Sequence, residues 1–93
     1  MGNESGCGSL DLNAEVSLEE LGEKIDEVSE AIPIPDACTY VAITPDEFAG
    51  ATIGSILHEV SKQPRNCAEF SRWATAVSIL IAYVSAKLCV GHY

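Results

Sequence analysis

From Trp73 to Ala86 the chain runs without a single charged residue, and that run limits what the rest of the sequence can fold into. Fourteen residues are too few for a membrane-spanning helix, which needs ~20. Extending the run to Val90 brings in Lys87. The reading is a buried helix from about Cys67 to Leu88, ending near Gly91. Small residues recur along it at Ser71, Thr75, Ser78, Ala82, Ser85 and Cys89, a heptad seam of small side chains. Phe70, Ala74, Val77, Ile81, Val84 and Leu88 lie on one flank of the seam; Trp73, Ala76, Leu80 and Tyr83 lie on the other. A helix apolar almost all round must be covered on several sides.

The cover has to come from what precedes it. Thr44-Pro45-Asp46-Glu47 reads as a capping box with proline at the first helical position. It predicts a helix to about Lys62 with Phe48, Ile53, Ile56, Leu57 and Val60 as its apolar face. Gln63-Pro64-Arg65-Asn66 is a turn, so the last two helices form an antiparallel hairpin. Gly50 and Gly54 supply a small surface on the first of them, expected to meet the seam at close range.

Ser17-Leu18-Glu19-Glu20 is an earlier capping box. Behind it Leu18, Leu21, Ile25, Val28 and Ile32 follow the helical period, predicting an amphipathic helix from Ser17 to Ala31 that Pro33 and Pro35 end. Two short stretches read as strands. Leu10, Leu12, Ala14 and Val16 alternate with polar residues over Ser9–Val16, and Ala37–Ile43 is β-prone between turn residues. The fold expected is therefore α+β, helix-dominant, in the order β-α-β-α-α with a C-terminal antiparallel helical hairpin. An all-α arrangement is the runner-up. Residues 1–8 read as a flexible N-terminus and 9–93 as a single small domain, with an acidic strand and helix segment over 9–36 and the hairpin over 44–90.

Charge is distributed unevenly. The net charge is −9, and residues 1–36 hold ten acids against one base, Lys24, while residues 37–93 balance four acids with four bases. Glu19, Glu23, Asp26 and Glu30 form a row on the first helix, with Glu20 and Glu27 beside it. Such a field repels nucleic acid and anionic lipid and favours a basic protein surface. With five cations in 93 residues there is no nucleic-acid footprint, so no direct nucleic-acid binding is expected and a membrane partner is disfavoured.

Four cysteines, Cys7, Cys38, Cys67 and Cys89, contain no Cys-x-x-Cys pair, which removes zinc-ribbon and thioredoxin-type readings. They allow three disulfide connectivities, and spacing alone does not choose among them or decide whether they pair. No charged segment followed by an apolar one opens the sequence. The expectation is a reduced chain in the cytoplasm, or the host cytoplasm for a viral protein. The start Met1-Gly2 has Gly6 where a myristoylation pattern wants Ser or Thr.

Catalytic signals are thin. Cys38, Cys67, His58 and His92 show no local signature of a nucleophile and base pair. His58-Glu59 with Glu69 matches no metal-ligand spacing. Gly50-x-x-x-Gly54 lacks the Gly-Lys-Ser/Thr end of a phosphate loop. A non-enzymatic protein without cofactor or metal is expected.

Glu15-Val16-Ser17-Leu18-Glu19-Glu20-Leu21 resembles the acidic helical leader of lanthipeptide precursors, and Ser85-Ala86-Lys87-Leu88-Cys89 resembles a ring segment of some of their cores. That resemblance implies a modified-peptide precursor, although no double-glycine cleavage site follows the helix. Glu69-Phe70-Ser71-Arg72-Trp73-Ala74-Thr75 is similar in rhythm to small helical phage proteins that sequester cyclic nucleotides, without the later carboxylates of such a helix. That similarity implies a small-ligand sponge.

The function expected first is an acidic interaction module that self-associates through the apolar C-terminal helix, with Gly50, Gly54, Ser71, Thr75, Ser78, Ala82 and Ser85 as the seam. The alternative from a different class is a viral or phage counter-defence inhibitor whose carboxylate row (Glu19, Glu20, Glu23, Asp26, Glu27, Glu30) occupies a basic groove as a nucleic-acid mimic.

Overall fold

The computed structural model describes residues 11–38 and 42–87. Three α-helices and one 3-10 turn make up its regular structure: α1 (Leu18–Ala31), the 3-10 turn (Pro45–Phe48), α2 (Ile53–Ser61) and α3 (Cys67–Lys87). The expectations for residues 1–8, for 9–10 of the first strand, for 39–41 of the second strand and for 88–93 fall outside the described residues.

α1 forms where its capping box lies. The Ser17 hydroxyl accepts the Glu20 amide at 3.4 Å, which relieves one of the unpaired donors of the first turn. Ile32 leaves the helix with extended backbone angles, just before Pro33. One face is apolar, and Leu21 and Ile25 from it are fully buried.

α3 starts from Asn66, whose side-chain oxygen accepts the Glu69 amide at 2.8 Å and whose carbonyl accepts the Phe70 amide. It is the spine of the fold, and α1, α2 and the 3-10 turn all pack against it. The core gathers Val16, Leu21, Ile25, Phe48, Ile53, Ile56, Ala76, Ile79 and Ala82. Its largest part is aliphatic, so burial, at ~25 cal/mol per Å² of apolar surface, is the main stabilising term. The Trp73 indole N–H donates to the Val60 carbonyl at 3.0 Å and fixes the register of the α2–α3 hairpin.

The structure is helix-dominant, and the β-α-β-α-α topology is corrected. Among the described residues there is no sheet, only an isolated antiparallel bridge between Glu15 and Thr52. Asp11 and Asn13 turn the chain instead, the Asp11 carboxylate accepting the Asn13 amide at 3.0 Å and its carbonyl accepting the Ala14 amide. The segment after that turn then serves α2. The Ile53 and Gly54 amides, which no helical carbonyl can reach, donate to Ala14 and Leu12 carbonyls at 2.8 and 2.9 Å. The alternation of Ala14 and Val16 is real, since both pack into the core, but it meets a helix N-terminus rather than a second strand. At the start of the other expected strand, Ala37 continues the turn begun at Asp36, closed by the Cys38 amide on the Pro35 carbonyl.

The single helix expected over 44–62 is also corrected. After one 3-10 turn the chain leaves the helix at Ala49, and Gly50 adopts φ +78°, a left-handed conformation that glycine adopts without penalty. Thr52, not Thr44, caps the α-helix, its hydroxyl accepting the Ser55 amide at 3.2 Å. Two caps compete within eight residues, and the break delivers Phe48 to the core, where it is 4% exposed.

Cys38 and Cys67 form a disulfide with a Cα–Cα distance of 5.5 Å. For these two residues the expectation of free, reduced cysteines is corrected. The spacing permitted several pairings, and only the packing of the α1–α2 connection against the start of α3 selects this one.

Candidate functional site

Three surface features could carry function: the acidic face of α1, a cluster around Arg72, and the outward face of α3. Each follows from how the helices present their sequence.

On α1, Glu19, Glu20, Glu23, Asp26, Glu27 and Glu30 are all exposed, opposite the buried Leu21 and Ile25. Lys24 is the helix's one base and pairs with Glu27 at 3.5 Å. Both of its ends are open to solvent, so the pair contributes at most about 1 kcal/mol. The structure brings all six predicted acids onto a solvated surface.

Arg72 links three elements. Its guanidinium donates to Glu59 of α2 at 3.0 Å and to Glu47 of the 3-10 turn at 3.2 Å, and it stacks over the Phe48 ring at 4.8 Å from the centroid. Glu59 also accepts from Lys62 at 3.3 Å. The Arg72 hydrogen bond holds the Glu59 carboxyl below the usual glutamate range, against an opposing push from desolvation, with Lys62 adding to the effect. Glu69 is lowered chiefly by the Arg65 amide donating to it at 2.9 Å. A groove of about 520 Å³ lies here between the end of α2 and the start of α3. Its charged lining is already paired within the chain: Lys62 with Glu59, Arg72 with Glu59 and with Glu47 just outside the groove, and Arg65 with Glu69. The arrangement locks the hairpin and leaves no uncompensated charge for a ligand. The sequence reading did not single out Arg72. The signal available was a base in the first half of an apolar helix, with acids on both preceding elements.

The seam residues lie in different environments. Ser71 is half-buried, Thr75, Ser78 and Ala82 are fully buried, and Ser85 is exposed. The Thr75 and Ser78 hydroxyls donate to the Ser71 and Ala74 carbonyls at 2.8 Å each, and Thr75 Oγ1 accepts the Thr44 amide at 3.2 Å. From Thr75 to Ala82 the seam therefore faces the chain's own core. The expected contact with Gly50 and Gly54 is corrected. Gly50 sits in a turn outside α2, and a Cβ on Gly54 would meet the Leu12 carbonyl oxygen at 3.2 Å. Gly54 is small for the N-terminal segment, not for α3.

With the seam turned inward, an adjacent face of α3 is what remains. Phe70, Val77, Ile81 and Val84 recur there at spacings of seven, four and three, which keeps them on one helix face. Phe70, Val77 and Val84 are half-buried, and Ile81 is 44% exposed. Among the described residues, no group of three or more His, Cys, Asp or Glu is placed to hold a metal ion, and no helix is long and apolar enough to cross a membrane.

No protein-family model matches the chain, and neither does any curated protein or solved structure.

Proposed function

We propose that this chain is a small non-enzymatic interaction module that self-associates through the outward face of α3. The observation that carries the reading is the uncharged row Val77, Ile81 and Val84, with Phe70 below it, on a helix whose other sides are occupied by α1 and α2. Ile81 is the exposed member and the other three are half-buried; a partly open apolar row of this kind suits an interface. Residues 37–93 carry no net charge, so two such faces approach without local repulsion while the acids stay on α1.

Magnitudes bound the strength. Each of these side chains is already partly covered, so completing its burial is worth ~1 kcal/mol. Two copies contribute about 8 kcal/mol gross, and association costs at least ~4 kcal/mol. The net, at most about 4 kcal/mol, corresponds to dissociation constants of about millimolar or weaker. Light scattering up to millimolar concentrations tests it. The wild type should rise from monomer towards dimer, Ile81→Arg should not, and added salt should favour the dimer by screening the −9 of each copy. Equal behaviour of the two proteins would end the reading.

A second reading has its own observation. Six exposed carboxylates on α1 face one base on that helix, which suits a basic protein surface, including the groove of a nucleic-acid-binding protein. Such binding must weaken with salt, opposite to the response of the self-associated form.

A further inference from the structure

We propose that the Cys38–Cys67 disulfide is a redox latch that sets how much of the outward face of α3 is open, an inference that rests on the self-association reading.

The stretch 32–38 is tied covalently to α3 by this bond. Among the described residues its backbone hydrogen bonds are local, the Ile32 amide to Ser29 and the Cys38 amide to Pro35, and Pro33 and Pro35 have no amide to give. Ala37 touches the sulfur pair itself, its carbonyl oxygen 3.7 Å from Cys67 Sγ. A shallow groove of about 260 Å³ has Pro35, Ala37 and Cys38 on one wall and Cys67 and Phe70 on the other. The latched segment therefore stands beside Phe70, the first residue of the outward row.

The position of Cys67 favours opening. It is the first residue of α3, where unpaired amides and the positive end of a helix favour a departing thiolate. Cys38 is 8% exposed, and Cys67 is the more open partner. A dithiol reductant attacks the Cys67 sulfur as its thiolate, forming a mixed disulfide and expelling Cys38 as thiolate, which takes up a proton. The reductant's second thiolate then attacks its own bound sulfur and expels Cys67, a good leaving group at that helix end. The protein gains two electrons and two protons, and the reductant leaves as its internal disulfide. Residues 32–38 then come away, and Phe70 joins Val77, Ile81 and Val84 as open surface.

The test uses the full chain with Cys7→Ser and Cys89→Ser, so that only the latch can respond. Sedimentation equilibrium is run on the oxidised form and after dithiothreitol, with alkylation and mass spectrometry counting thiols and circular dichroism following the helices. The expected result is two new thiols, unchanged helix content and association about tenfold tighter. Phe70→Ser should abolish that gain while lowering the association of the oxidised form by much less than Ile81→Arg does, and Cys38→Ser with Cys67→Ser should reproduce the reduced state without reductant. The proposal is overturned if the folded protein resists the dithiol, if reduction melts the helices, or if association ignores reduction. In the last case, loss of oxidised association in Ile81→Arg would show that the self-association reading survives the failure of the latch.

Discussion

Ile81 and Ala82 are neighbours in sequence, about 100° apart around α3, and the same substitution at each should give opposite results. Ala82 is 0% exposed and sits in the cluster with Ile79, Ala76 and Ile53. Arginine there overfills a packed site, at ~1–3 kcal/mol, and buries a charge without a partner, at several kcal/mol more. The total reaches the ~5 kcal/mol that marks the lower end of small-domain stability, so Ala82→Arg should not fold. Ile81 is 44% exposed. A little over half of an isoleucine's ~1.5–3 kcal/mol of burial is at stake, and the arginine stem can cover part of that surface. Ile81→Arg should therefore cost about 1 kcal/mol and keep native helix content. Urea titration followed by circular dichroism measures both. A cooperative Ala82→Arg transition with an unshifted midpoint would refute the inward-facing seam, and with it the outward position assigned to Ile81.

Other expectations are as specific. Cys38 and Cys67 are 29 residues apart, and closing a loop of that length restricts the unfolded chain by ~3.5 kcal/mol; the double serine variant should lose about that much in urea titrations while still folding. Glu59 titrates below its ordinary 4.5 in the folded chain, so its contribution is present above that value and disappears as pH falls through the lowered one. The stability gap between wild type and Arg72→Met, measured at successive pH values, should accordingly narrow as the pH falls below 4.5. Replacing Glu19, Glu23, Asp26 and Glu30 together by glutamine should leave the urea midpoint nearly unchanged, because solvated charges contribute little. The same change should strengthen self-association at low salt, where repulsion between copies is largest.

How much of this was legible in the sequence varies by element, for physical reasons. α1 could be read to the residue because Ser17, the helical spacing and Pro33 all act locally. α3 could be read because its apolar run is long and Asn66 caps it. The break at Gly50 was not, since a glycine inside a helical pattern is tolerated, and only the chance to cap α2 with Thr52, Leu12 and Ala14 tips the balance. The alternation over Leu12–Val16 predicted burial correctly for Ala14 and Val16, but alternation does not say whether the partner is a strand. Small residues along the seam did announce close packing. Which helices would fill it depends on tertiary geometry, and so the face first assigned to a partner turned out to be filled from within, leaving Phe70, Val77, Ile81 and Val84 outside. The disulfide was illegible in principle, because spacing does not choose among three connectivities.

The central claim concerns which atoms meet when two copies associate. Mixing isotope-labelled and unlabelled protein near millimolar concentration and recording isotope-filtered NOEs observes those atoms directly. The account predicts intermolecular NOEs at the Val77, Ile81 and Val84 methyl groups, lost in Ile81→Arg, and none at Ala82 or along the acidic face of α1. Intermolecular NOEs confined to α1 or to the seam, or none at any concentration reached, would contradict it.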